Sequence, residues 1–190
     1  AKILAHENAI GKIAGMSRGL SAGDVIKVGK TVELEALDTP GHTMCHICLK
    51  SHTEQPALFS GDTLFNAGAG NCHNGGDPAL LYATVAEQLA KLPETTQVYP
   101  GHDYIENNLG FTLDREPDNA AAQALLPQVE GQDPQRSKVW TLAEEKGFNT
   151  FFRLGSASVI AALRERFPEL PAQPDPKTVF VKLRELRNTW

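Results

Sequence analysis

The stretch LDTPGHTMCHICLK, residues 37–50, places two histidines and two cysteines between a proline–glycine turn and a lysine. It admits two readings: a Cys-x-x-Cys metal or redox motif, or a turn histidine that does chemistry beside cysteines that only pack. Residues 43–50 read as a strand, and along a strand residues three apart point to opposite faces. Cys45 and Cys48 then diverge, no second pair completes four zinc ligands, and no helix follows to lower a thiol pKa. The cysteines are read as packing residues. Asp38-Thr39-Pro40-Gly41 is turn chemistry, with proline fixing one dihedral and glycine allowing a positive one, and it presents His42.

Upstream of that turn, VIKV (25–28) and TVELEAL (31–37) alternate around a Gly-Lys turn and predict a hairpin. Downstream come a polar loop, a short strand at Ala57-Leu58-Phe59 and a glycine-rich loop over 61–76. Asp77-Pro78 opens a helix, an N-cap acceptor followed by proline at the first helical position. Its stripe is Leu81, Val85, Leu89 and Leu92, and Pro93 ends it. Gln97-Val98-Tyr99 predicts one more strand, closing at Pro100-Gly101. From about residue 107 the strand signals fade, and helices are predicted near 119–130, 137–147, 155–166 and 176–187. The boundary is placed near residue 112: a β/α layer over 1–112, then a helical unit over 113–190.

The bulk properties narrow the function classes. A chain of 190 residues supports one sizeable core, or a core with a small appended unit. No apolar run approaches the length that spans a bilayer, so no membrane partner is expected. The formal net charge of -5 argues against a nucleic-acid surface. Three cysteines without framework spacing suggest a reducing compartment, hence the cytoplasm. The chain begins at Ala1, and AKILA reads as a strand already under way, so the expected start lies inside a larger protein.

Two motifs are decoys. GLSAG (19–23) fits Gly-x-Ser-x-Gly, but a strand follows rather than a helix, so Ser21 is a turn residue and not an elbow nucleophile. NAGAGNCHNGGD (66–77) lacks both Gly-x-Gly-x-x-Gly and the Lys-Ser/Thr ending of a phosphate loop, and suits a pocket-lining loop better. Three turns of one kind remain, each following a strand: TPGHT with His42, SGDTLF with Asp62 and YPGHDY with His102. Singly each is an ordinary turn; ligands offered from several loops over one sheet edge can converge on a metal.

This ordered set, TPGHT, GDTLF and PGHDY, resembles the metallo-β-lactamase superfamily, and within it the glyoxalase II (hydroxyacylglutathione hydrolase) family. The similarity continues through NNLGF, EPDN, TLAEEKGFNTFFR and the final LRELRNTW, nearly the whole chain. The resemblance implies an α/β fold: part of an αββα sandwich followed by a small C-terminal helical substrate-binding domain. It implies two divalent metal ions, most often zinc with iron or manganese as options. His42 would bind the first, His102 the second, and Asp62 would bridge both and so act in catalysis. Metals of this kind activate a water for attack on a thioester carbonyl and stabilise the developing oxyanion. The implied substrate is a glutathione thioester of a 2-hydroxy acid, with Tyr104, Arg184 and Arg187 contacting glutathione. The two arginines lie one helical turn apart and suit a carboxylate clamp; a solvated helix face is the competing reading.

Two departures stand out. Where the family has a basic residue and an aromatic in the pocket loop, this chain has Asn71 and His73, which the resemblance places with the substrate-contacting residues. The His-x-His-x-Asp-His ligand loop is absent, and KILAHENAIGKI resembles the segment that follows it, so that loop is expected upstream of Ala1. His42, Asp62 and His102 alone leave each metal about two protein ligands, short of the usual three. Two alternatives stay open: a persulfide dioxygenase of the same fold using one iron, or an inactive truncated member. A complete chain is expected to be a monomer; a truncated one, with sheet edges and an apolar face bare, is expected to associate.

Overall fold

The computed structural model describes residues 2–190. Strands β1 (Ile3–His6) and β2 (Met16–Leu20) pair in parallel as a separate ribbon. The predicted hairpin forms as β3 (Val25–Val28) and β4 (Val32–Asp38), turning at Gly29. Strands β5 (Ile47–Ser51) and β6 (Ala57–Gly61) extend it. A small hairpin, β7 (Leu64–Phe65) and β8 (Gly68–Ala69), then precedes α1 (Pro78–Tyr82). Asp77 caps α1 by accepting from the amides of Ala79 and Leu80, and the helix continues through a wide turn at Ala83–Gln88 and a tight one at Leu89–Lys91. The chain returns as β9 (Gln97–Pro100), which pairs parallel to β6.

The second half contributes α2 (Ile105–Arg115), α3 (Ala120–Val129), β10 (Trp140–Thr141), α4 (Leu142–Phe148), α5 (Ala157–Arg166) and α6 (Pro176–Arg187). The main sheet has six strands in the order β10-β9-β6-β5-β4-β3. Three local expectations change. The strand after His42 starts only at Ile47, leaving His46 in the turn. Helix α2 is an element the sequence pattern did not announce, and residue 112 falls inside it. The segment 137–147 opens as an edge strand, because Trp140 and Thr141 pair with β9 before a capping box on Thr141 and Glu144 starts α4.

The core explains why the halves pack as one body. Leu58 and Val98 of the sheet, Leu81, Val85 and Leu89 behind them, and Phe151, Val179, Phe180 and Leu183 of the helical half form one buried cluster. Each such side chain contributes about 1.5–3 kcal/mol on leaving water. Alternation along β6 turns Leu58 and Ser60 into that cluster and Phe59 to the other face. There Phe59, 43 % exposed, stacks on its cross-strand partner Tyr99. Among the described residues no helix is long and apolar enough to cross a membrane.

Candidate metal centre and adjoining pocket

Three turns at the ends of β4, β6 and β9 bring His42, Asp62 and His102 together. The His42 turn lies hard against the start of α1: a Cβ on Gly41 (φ +141°) would sit 2.4 Å from the Leu81 Cα, and the Asp77 amide donates to the Gly41 carbonyl. Only glycine fits there. The Gly101 amide donates to the Gly61 carbonyl at 2.9 Å, which joins the Asp62 turn to the His102 turn. A Cβ on Gly101 would meet Asp62 Oδ1 at 2.5 Å, so the carboxylate occupies the space a side chain would need.

Asp62 stands in the middle. Its Oδ1 lies 2.8 Å from His102 Nδ1, and its Oδ2 lies 3.8 Å from His42 Nε2. His42 Nδ1 is 2.7 Å from the Asn71 carbonyl, an acceptor only, so this nitrogen carries the proton and donates. The Nε2 lone pair is thereby left facing Asp62. That is the second-sphere pattern that fixes the tautomer of a ligating histidine. The ring of His102 stacks on Tyr104 with centroids 5.3 Å apart, and Phe65 meets both edge-on.

The three donors form a row rather than a cage. Among the described residues no group of three His, Cys, Asp or Glu side chains converges on a single point as a metal-ion site. A carboxylate flanked on each oxygen by a different imidazole is a donor set that suits divalent metal ions. Imidazole nitrogen and carboxylate oxygen are donors that suit zinc, iron and manganese. The residues present therefore fit donors to a divalent metal ion.

His46, which sequence reasoning placed in a strand without a role, lies beneath this row. Its Nε2 accepts from the Asp62 amide at 3.3 Å, and its Nδ1 is 2.8 Å from Thr63 Oγ1 and 3.1 Å from Thr39 Oγ1. Burial, with the neighbouring His42 and against the pull of Asp62, holds its pKa down at about 4. The cysteines behave as packing residues: all three are free thiols, and burial pushes the Cys48 thiol up to about 11. Ser21 sits in a turn closed by Asp24, as expected of a decoy.

Beside the metal row is a cavity of about 160 Å³, lined in part by Asn71, His73, Tyr104, Arg184 and Arg187. One pocket gathers all five residues proposed for substrate contact. They are not equivalent. Arg184 is buried, with Nη1 donating to the Ala69 and Gly70 carbonyls at 2.6 and 3.1 Å, so part of its guanidinium braces the β8 loop. Among the described residues its Nε has no partner, and burial together with Arg187 brings its pKa down to about 10. Arg187 is freer: Nη2 reaches Asn108 Oδ1 at 3.3 Å, and burial lowers its pKa. Asn71 spends its side-chain oxygen on the His73 amide of its own turn.

The β7–β8 hairpin between row and pocket is held from behind. Glu145 of α4 is fully buried and accepts from Asn66 Nδ2, the Ala67 amide and Asn149 Nδ2 at 2.8, 3.0 and 3.0 Å. Ala67, at the hairpin tip, has φ +56°, a left-handed conformation costly for alanine. No sequence pattern singles out Glu145, because two of its three partners, Asn66 and Ala67, lie about eighty positions away.

With this geometry in place, the comparisons define first a class and then a family. Residues 20–102 match the metallo-beta-lactamase superfamily. ETHE1 from Myxococcus xanthus is similar in fold, with a TM-score of 0.58 at 24% identity, covering 100% of this chain and 66% of that one. Residues 103–190 match the hydroxyacylglutathione hydrolase C-terminus. A protein from Polaromonas sp. named hydroxyacylglutathione hydrolase is 75% identical over 190 residues, all of this chain and 72% of the relative. One of the same name from Nitrosococcus oceani is 66% identical over 189 residues, 100% of this chain and 72% of the relative. The chain belongs to the hydroxyacylglutathione hydrolase family.

Proposed function

We propose that this protein hydrolyses the thioester of S-(2-hydroxyacyl)glutathione, of the S-lactoylglutathione type, to glutathione and the free 2-hydroxy acid. The observation that carries this is the carboxylate–imidazole row opening beside a pocket with two arginines, in a chain 75% identical to a relative of that name. His42, Asp62 and His102 would hold two divalent ions, with zinc favoured and iron or manganese also suited to the donor set. Bound there, such ions would supply Lewis-acid chemistry, polarising a carbonyl and lowering the pKa of a water toward neutrality.

The protein's own groups then do three things. The Asn71 carbonyl keeps His42 in the tautomer that offers Nε2. Phe65, edge-on to His102 and lining the pocket, would cover one flank of the reacting centre and limit water there. Arg187 pairs with a substrate carboxylate, and the Tyr104 ring beside His102 positions the thioester end. The leaving group is a thiolate, stable enough near neutral pH that no dedicated acid is needed. We place this reaction in the cytoplasm, in keeping with three unpaired cysteines, and in a monomer where the chain is complete, a truncated chain being expected to associate.

The experiment is thiol release from S-lactoylglutathione by metal-loaded full-length protein, with oxygen uptake on glutathione persulfide run beside it. Thiol release that follows metal content supports the hydrolase. Oxygen uptake without thiol release would replace it with the dioxygenase.

A further inference from the structure

We infer that His46 is a positioning residue for the metal row: its neutral imidazole sets the Asp62 turn and ties the His42 turn to it. One ring touches both segments. On the first, the Thr39 amide donates to the His46 carbonyl at 3.1 Å and Thr39 Oγ1 meets Nδ1; Thr39 lies three residues before His42. On the second, the ring accepts from the Asp62 amide and meets Thr63 Oγ1. Because Nε2 accepts, the proton resides on Nδ1 and is shared toward the two threonine hydroxyls, both fully buried.

The backbone records the same dependence. Gly61 has φ +50°, and a Cβ built on it would lie 2.9 Å from His46 Nε2. The ring thus fills the space against which the chain turns before delivering Asp62. The Gly61 carbonyl in turn accepts from Gly101, next to His102. All three ligand turns therefore refer to one imidazole, two directly and the third through Gly61. Gly70 and Gly101 also adjoin Asp62, and a Cβ on either would collide with it. Displacing the Asp62 amide by a fraction of an ångström moves the carboxylate relative to both histidines, and this, rather than contact with substrate, is how His46 acts.

The test uses full-length protein and two substitutions of opposite geometry, resting on Asp62 being the bridging ligand. His46→Asn keeps a polar group at the Nδ1 position and removes the acceptor for the Asp62 amide. His46→Gln returns a carbonyl oxygen near the Nε2 position. Zinc affinity is measured by competition with a chelator, and hydrogen exchange of the Asp62 amide is followed in metal-free protein. The expected result for His46→Asn is lost amide protection and about 10–100-fold weaker zinc binding, the range for second-sphere changes. Its kcat falls with the zinc occupancy while KM is unchanged, and His46→Gln recovers most of both. Wild-type metal affinity and amide protection in His46→Asn overturn the inference, as does equal impairment in both variants at an unchanged unfolding temperature. Should neither variant fold, the wild type decides: a nitrogen–nitrogen scalar coupling across the Asp62 amide to His46 Nε2 supports the contact, and a protonated Nε2 at neutral pH refutes it. Asp62→Asn separates the two levels. If it leaves zinc binding intact the bridging assignment fails; if it abolishes binding while His46→Asn does not, only the role of His46 fails.

Discussion

Replacing Glu145 by glutamine should change how stability depends on pH, with a sign and size fixed by its surroundings. Burial pushes this carboxyl up from 4.5 to about 7, against the lowering effect of hydrogen bonds from Asn66, Asn149 and the Ala67 amide. Among the described residues no cation pairs with it. In the unfolded chain the group ionises near 4.5, while in the folded protein it keeps its proton to about 7. Between those values the folded state binds more protons, so stability falls as pH rises through the window and levels off above it. A shift of this size corresponds to about 3 kcal/mol. His46 titrates with the opposite sign: its folded pKa is held down at about 4, so its contribution rises with pH over part of the same range. The wild-type curve alone therefore conceals the effect, and the difference between wild type and Glu145→Gln isolates it. Denaturant unfolding of metal-free protein from pH 4.5 to 7.5 should show wild type losing about 3 kcal/mol relative to the variant. A difference constant to within about 1 kcal/mol across the window would mean that Glu145 ionises normally, and that its three donors outweigh its burial.

Other outcomes follow from the same geometry. Asp62→Asn should lower bound metal and reduce kcat by more than about 100-fold, since it removes the group shared by both histidines; elemental analysis with a steady-state assay checks this. Arg187→Ala should raise KM for the thioester about 10-fold or more with little change in kcat, the signature of lost uniform binding. Arg184→Ala should in addition lower the unfolding temperature, because its guanidinium braces the Ala69 and Gly70 carbonyls. Replacing Cys45 by serine and Cys48 by alanine should leave metal content and turnover unchanged, and Cys48 should resist alkylation in the native protein while its thiol stays near 11.

Several features were legible along the chain because their causes are local. Proline–glycine turns after apolar runs marked the positions of His42 and His102, and Asp77-Pro78 marked the start of α1. Period-two alternation located β3 and β4, and short strand-like runs located β6 and β9. Helix α2 escaped notice because Tyr104 provides no side-chain cap and Gly110 interrupts the pattern. That glycine is there for a distant reason: its Cβ would stand 3.0 Å from Trp190 at the end of the chain. Residues 140–141 read as helix because edge pairing with β9 is invisible from 137–147 alone.

The sequence by itself determined the class of fold and the order of the three turns that carry His42, Asp62 and His102, since strand period, turn chemistry and helix caps act over a few residues. It also decided against the Cys-x-x-Cys reading of residues 37–50. Only the tertiary structure decided that Asp62 stands between the two histidines and that His46 supports it from below. The same holds for the two arginines, which the structure separates into a buried brace and a less constrained, pocket-lining cation. The reason is range: those roles depend on contacts between residues as many as 115 positions apart, which no window along the chain contains.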